Sequence, residues 1–530
     1  MDIAEIRFLE GPNLFQLRPT VKVELIASEA DQPSLASRLS RACSAPVTDD
    51  LGRAWAIFVA AACGNAGQPL AETTVLALDE PCHVALTFAW THRPFATAVC
   101  TIVRSIVAGD AVTLSDRSET LRQAADAPAD PPELILDGDR RIPTIAVTGT
   151  NGKTTTTRLL AHIARTAGKH VGWSSSSGVY VDGELIEGGD FSGPSGASQV
   201  LAQEGLDLAI LETARGGILL KGLGYESNDV SVFTNVSGDH LGLHGVLTVE
   251  TLATVKSIVC RVTRLDGVAV LNADDALVMD ATADIRADRC LVSRTVDNPL
   301  LVAQIASGGR VVVRDGDAIV ARTGATETFR IDLVDIPMCF GGRAAHQVEN
   351  AVGAIGAALA AGLAVDAIRS GLETFGTEVH HNPGRLNVFD MGHYTVVLDY
   401  AHNEAGLERL LAFGRQLGDG EGRLIAVIGS AGDRDPELLR ALGSIAAEKS
   451  DHVVAKGTER YLRGIEKDEL LRLYRDGASA YPETPYDEVE DEWAAVRRIA
   501  EMAKSGDVFV LMFQELLGEI EEMLRSAAPS

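Results

Sequence analysis

A lysine set between a glycine and two threonines, after an apolar run and before a helical pattern, is a constellation for binding a triphosphate. It reads Gly149-Thr150-Asn151-Gly152-Lys153-Thr154-Thr155. Thr144-Ile-Ala-Val147 precedes it with a buried-strand pattern, and residues 155–167, stopped by Gly168, follow with a helical one. Glycines let backbone N–H groups turn toward phosphate oxygens, and a helix N-terminus adds partial positive charge. Lys153 can reach the terminal phosphates, and the Thr154 hydroxyl can ligate Mg²⁺. The strict form of this loop has another glycine five positions before Gly152, where Val147 stands. The plain alternative is a glycine turn ahead of an ordinary helix; the coincidence of strand, loop and Gly-Lys-Thr disfavours it.

Two further segments carry groups suited to the same chemistry. The apolar run 206–211 ends in Glu212-Thr213-Ala214-Arg215-Gly216-Gly217. A carboxylate at a strand's C-terminal end, beside a phosphate loop, suits Mg²⁺, a hard cation that takes oxygen ligands. Alone, Glu212 reads equally as a solvated strand-end residue. Asn235-Val236-Ser237-Gly238-Asp239-His240-Leu241-Gly242-Leu243-His244-Gly245 then places an aspartate and two histidines after another apolar run, 230–233. Lys256 follows on a helical stretch. A lone histidine is more often a core residue, His244 is equally a turn residue, and a lone helical lysine is more often on the surface.

Such groups need a scaffold, and the chain is long enough to supply one. At roughly 150 residues per domain, 530 residues suggest three domains. The 46% hydrophobic and 23% charged content is that of a globular protein and excludes disorder as the main state. Lys and Arg number 47 against 74 Asp and Glu, a net charge of −27, which argues against general nucleic-acid binding. The seven cysteines are scattered with no C-x-x-C, which reads as reduced core thiols in a cytoplasmic protein. The first residues lack a signal-peptide pattern, and no apolar run of about 18 residues argues for a membrane span.

Three blocks emerge. Residues 1–130 form an α+β N-terminal domain closed by the Ala/Pro/Asp stretch 126–132. Residues 141–380 alternate apolar runs with helical stretches, as an α/β domain with a parallel sheet does, and hold a hairpin signal at Asp315-Gly316. Residues 384–530 repeat the alternation, with strand candidates at 394–398, 424–428, 452–455 and 508–512, and predict a second, Rossmann-like α/β domain.

The order of these segments resembles the Mur ligase family, ATP-dependent ligases that join a carboxylate to an amine through an acyl phosphate. The resemblance begins with Thr148–Thr155 as a variant P-loop and takes in Glu212, Asp239-His240 and Asn272-Ala-Asp-Asp275. It continues through His346-Gln347-Val348-Glu349-Asn350, where Gln347 replaces the usual Asn, then Pro383-Gly384-Arg385, Asp399-Tyr-Ala-His-Asn403 and Gly429-Ser-Ala-Gly-Asp-Arg-Asp435. It implies ATP and Mg²⁺ as cofactors. The nucleotide would be held by Gly149, Thr150, Asn151, Gly152, Lys153, Thr154 and Thr155, with Asn350 facing adenine and Arg385 and Asp399 approaching the phosphates or nucleotide. The metal would be held by Thr154, Glu212, His240 and Lys256, the lysine as a CO₂-derived carbamate; an ammonium cannot ligate Mg²⁺. Lys153, Glu212, His240 and Lys256 would be the catalytic set.

Within the family, residues 211–225, Asp239-His-Leu-Gly-Leu243, Gly189-Asp-Phe-Ser-Gly-Pro194 and Arg7-Phe-Leu-Glu-Gly-Pro-Asn13 look like the Mur-type half of cyanophycin synthetase. The ATP-grasp half of that enzyme would fall between the N-terminal domain and Thr144, where only about ten residues stand. The resemblance therefore implies one amide-forming activity. It would join a small-molecule or peptide-like carboxylate to an amino acid, in a homo-oligomer without nucleic-acid or membrane partners. Alternatives are a folylpolyglutamate-synthase-like glutamate ligase, a catalytically silent nucleotide-binding partner of a separate ATP-grasp ligase, and a P-loop kinase.

Overall fold

A computed structural model describes residues 1–238, 241–376, 381–418, 422–432, 434–458, 462, 464–515 and 517–527. The chain divides into two compact units, Met1–Val292 with Gly356–Leu363, and Ser293–Ile355 with Ala364–Ser530.

The first unit opens on a four-stranded antiparallel sheet in the order Asp2–Leu9, Thr20–Ile26, His83–Ala89, Thr73–Ala77. The helices Gln32–Ala42, Leu51–Ala66 and Arg93–Ala108 contribute buried residues to the core over it. Trp55 is fully buried there, its indole N–H donating to the Thr87 carbonyl at 2.7 Å, so the one polar atom of a large apolar side chain is satisfied. Residues 127–134 contain no helix or strand, in keeping with the Ala/Pro/Asp pattern.

The phosphate-loop strand Thr144–Thr148 lies inside the next sheet. The order is Asp288–Ser293, Thr263–Asn272, Asn228–Phe233, Thr144–Thr148, Leu208–Glu212, Val171–Ser175, all parallel, then the antiparallel strands Gly178–Val181 and Glu184–Gly188. Strands 144–148 and 208–212 are buried along their whole length, which explains unbroken apolar runs rather than alternation. In this order the chain leaves Thr144–Thr148 across Leu208–Glu212 to Val171–Ser175, and later returns on the other side to Asn228–Phe233. Loops at the C-terminal ends of these strands therefore converge where the winding reverses, the place where open α/β sheets bind ligands.

The second unit holds an antiparallel meander, Arg310–Asp315, Ala318–Thr323 and Thr326–Asp332, with the Asp315-Gly316 turn at its first corner. Its six-stranded sheet runs Asn387–Asp390, Thr395–Asp399, Val508–Met512, Leu424–Ile428, His452–Lys456, Tyr486–Val489; the first pair is antiparallel and the rest parallel. The seven cysteines are free thiols; five are buried, Cys43 is half-buried, and Cys82 is exposed in a turn at φ 63°, so it is no core thiol. Among the described residues no helix is long and apolar enough to cross a membrane.

Helices Pro436–Lys449 and Lys467–Ala478 approach backbone to backbone. A Cβ on Gly477 would lie 1.8 Å from the Arg440 carbonyl oxygen, and one on Gly443 2.1 Å from that of Tyr474. Glycine inside a helix ordinarily costs about 1 kcal/mol relative to alanine. Here sterics overrule propensity: Gly477→Ala should destabilise this unit by about 1–3 kcal/mol, the range for overpacking. Its denaturation midpoint should fall, and a rise would show that the helices part without cost.

Candidate active site

The sharp turn after Thr144–Thr148 uses Gly149 at φ 144° and Gly152 at φ 86°. A Cβ on Gly149 would sit 1.9 Å from Thr234 Oγ1, so the second reason for glycine is close approach of the neighbouring strand's loop. The helix Lys153–Thr166 begins directly after Gly152, with its first N–H groups facing the loop.

A second layer of side chains holds this loop in shape. Asn151 is gripped by Asn235, whose Oδ1 accepts its N–H at 2.9 Å and whose Nδ2 donates to its carbonyl at 3.1 Å. Thr234 Oγ1 donates to the same carbonyl at 2.7 Å. Thr150 Oγ1 accepts the Ser237 N–H at 3.1 Å, and Asp275 fixes the adjoining Val236 N–H at 2.7 Å while capping the helix Ala276–Ala281. The Lys153 ammonium donates to the Thr150 carbonyl at 2.9 Å, folded over its own loop.

Glu212 is only 3% exposed. Its Oε1 accepts the Thr154 hydroxyl at 3.1 Å and its Oε2 the Ser176 N–H at 3.2 Å, while Ser176 Oγ lies 3.2 Å from Thr154 Oγ1. A carboxylate and two hydroxyls meet at the end of a buried strand. Glu212 is thus buried at the strand end rather than solvated. These are hard oxygens of the kind Mg²⁺ takes, beside the loop that opens the helix Lys153–Thr166, and the set fits a magnesium nucleotide.

Lys256 is buried on the helix Val249–Arg261, and its Nζ donates to the Gly149 carbonyl at 2.8 Å, so it faces the loop rather than solvent. Asp239 and His240 lie outside the described residues. His244 occupies a left-handed turn at φ 58°, and burial, then the Arg215 and Arg7 guanidinium groups, holds its pKa below the ordinary imidazole value.

The remaining predicted residues lie in the second unit. Asn350 is buried on the helix Ala345–Ala360, and its Nδ2 donates to Gln347 Oε1 at 2.9 Å. Burial, then Arg409, pulls the neighbouring His346 pKa down to about 4, leaving a neutral ring at pH 7. The Arg385 guanidinium lies 5.0 Å from the Tyr400 ring centroid. Asp399 Oδ2 accepts the Leu386 N–H at 2.7 Å, securing a residue at φ 52°, and desolvation raises its pKa against the pull of Arg385.

Sequence reasoning named Asn235 and Ser237 only as part of a motif and did not select Ser176. Its signal was present: a run of serines, 174–177, leaving a buried strand. The structure thus gathers residues 149–155, Glu212 and Lys256 in the first unit, while Asn350, Arg385 and Asp399 are described within the second.

The family pattern described as the Mur ligase middle domain matches residues 147–358, and that of the Mur ligase glutamate ligase domain matches 384–512. Cyanophycin synthetase of Geminocystis herdmanii is 39% identical over 383 residues, 72% of this chain and 43% of that protein. The chain therefore spans less than half of that relative. UDP-N-acetylmuramoyl-L-alanyl-D-glutamate--2,6-diaminopimelate ligase 1 of Clostridium acetobutylicum is 27% identical over 377 residues, 69% of this chain and 72% of the relative. Among solved structures, E. coli FolC in complex with ADP, without folate substrate, superposes with a TM-score of 0.52 at 22% identity, over 72% of this chain and 89% of that one; this likeness is one of fold.

Proposed function

Since residues 147–358 and 384–512 belong to the Mur ligase family, we propose that the chain is an ATP-dependent amide-bond ligase. It joins a carboxylate, activated as an acyl phosphate, to the amine of an amino acid and releases ADP and phosphate. We propose domains at 1–130, 141–380 and 384–530. The observation that carries the reading is the pairing of Thr154 with Glu212, 58 residues apart in sequence, directly beside the lysine of a phosphate loop.

The loop N–H groups and the Lys153–Thr166 helix bind the phosphates. Lys153 leaves the Thr150 carbonyl and pairs with the terminal phosphate oxygens. Thr154, Glu212, His240 and Lys256, the lysine as its CO₂-derived carbamate, would hold magnesium, which would supply positive charge against the negative charge developing on the transferred phosphoryl group. Phosphoryl transfer needs positioning and electrostatic stabilisation more than covalent help, so a rigid, mostly buried site is the appropriate instrument. Asn350 contributes an amide able to donate and accept at a base edge, with His346 neutral beside it.

The test is product analysis. Purified protein incubated with ATP, Mg²⁺, candidate acids and amino acids should give a mass-shifted amide with one ADP released per bond. A phosphate ester, rather than an acyl phosphate, accumulating without any amine would replace the reading by a kinase. ATP binding with no turnover on any acid would replace it by a silent nucleotide-binding protein.

A further inference from the structure

The N-terminal sheet reaches into the phosphate-loop region at one carboxylate. Asp79 lies in the turn between strands Thr73–Ala77 and His83–Ala89. Its Oδ2 accepts the N–H of Leu247 at 2.9 Å and of Thr248 at 3.3 Å, and its Oδ1 accepts the Thr251 hydroxyl at 2.8 Å. Thr248 is the N-cap of the helix Val249–Arg261, so a side chain 172 residues away from Thr251 completes the cap of the helix that carries Lys256. A carboxylate there satisfies otherwise unpaired N–H groups and meets the positive end of the helix dipole.

The N-terminal domain makes a second grip through its first strand's end. The Glu10 N–H donates to the Lys221 carbonyl at 2.6 Å, and the Leu223 N–H to the Pro12 carbonyl at 2.8 Å. A Cβ on Gly11 would lie 1.8 Å from the Leu223 carbonyl oxygen, so the two backbones are in direct contact. The N-terminal domain thus holds both segments that leave the strands flanking the phosphate loop: 213–225 after Glu212, and 241–248 after Asn228–Phe233.

We infer that the N-terminal domain is part of the catalytic apparatus and that Asp79 is its positioning residue, setting the helix Val249–Arg261 so that Lys256 meets the phosphate loop. Val249 and Lys256 are two helical turns apart, about 10 Å along the axis, and a helix passes a displacement of its first turn to the next. Lys256 makes its contact to Gly149 from a buried position, where a shift of an ångström breaks a 2.8 Å hydrogen bond. The inference rests on the ligase reading above, because it assigns Asp79 a part in presenting the magnesium-nucleotide side of that site.

The experiment uses the full chain, wild type, Asp79→Ala and Thr251→Val, with a fluorescent ADP analogue titrated with MgCl₂, and amide hydrogen exchange over residues 247–256. Removing a group that orients metal-site residues typically costs 10–100-fold in metal affinity. The half-saturating Mg²⁺ concentration should rise about 10-fold in Asp79→Ala and less in Thr251→Val. Nucleotide affinity in EDTA should hold, and the Leu247 and Thr248 amides should exchange faster. A purely structural role would lower the signal amplitude and leave the Mg²⁺ midpoint in place, which overturns the inference. Should Asp79→Ala not fold, Thr251→Val removes one of the same contacts and decides alone. A wild type that binds the analogue with no Mg²⁺ dependence would sink the ligase reading and this inference together; a Mg²⁺-dependent wild type with unmoved variants sinks this inference only.

Discussion

Lys153→Ala should reduce acid-dependent ADP release by on the order of 10²–10³-fold, the loss seen when one preorganised donor to developing charge is removed. Lys153 is half-buried, and its ammonium donates to the Thr150 carbonyl at 2.9 Å. That contact is within its own loop, so exchanging a carbonyl for phosphate oxygens requires only rotation of the side chain. The substitution removes no core packing, and the fold should persist with an unchanged denaturation midpoint. Lys153→Arg should also fail, because a planar, forked guanidinium does not replace a compact point charge in a closed loop. A coupled ADP assay run at saturating acid and amine provides the measurement. Retention of a tenth of wild-type turnover in Lys153→Ala would show that the loop is not where phosphoryl transfer is assisted.

Glu212→Gln should separate activity from stability. The carboxylate is buried and accepts two hydrogen bonds, from the Thr154 hydroxyl and the Ser176 N–H. Glutamine has nearly the same shape and keeps one acceptor; its NH₂ can donate to the Thr154 hydroxyl, which accepts as readily as it donates. Packing therefore survives, and removal of a buried charge should leave the free protein as stable as before or slightly more so. The negative charge for Mg²⁺ is lost, and turnover should fall on the order of 10²-fold or more. In the wild type, ligand at 100 times its Kd adds about 2.7 kcal/mol of stability. Thermal denaturation with and without Mg·ADP should show that increment in the wild type and little of it in Glu212→Gln. An equal shift in both proteins would remove Glu212 from the metal site.

Much of the glycine-rich loop was legible because its determinants are local. Glycines at 149 and 152, a lysine at the first helical position and a buried strand before them are read within a dozen residues. The structure places the strand at Thr144–Thr148 and the helix at Lys153–Thr166. The strands predicted at 394–398, 424–428, 452–455 and 508–512 were equally visible, since buried parallel strands are continuous apolar runs; each is found within one residue of those bounds. Cys82 was misread as a core thiol because composition reports that cysteine is commonly buried, whereas exposure is decided by the turn in which it sits.

From sequence alone came the triphosphate loop, the alternation of strands and helices, and a family resemblance resting on motif order. Tertiary structure alone decided that Glu212 faces Thr154 and Ser176, that Asn235 clasps Asn151, that Lys256 points inward to Gly149, and that Asp79 caps the helix behind it. The reason is physical: propensity and periodicity act over a few residues. Contacts between groups 36 to 172 positions apart depend on which strand lies beside which and in what register, a property of the assembled sheet.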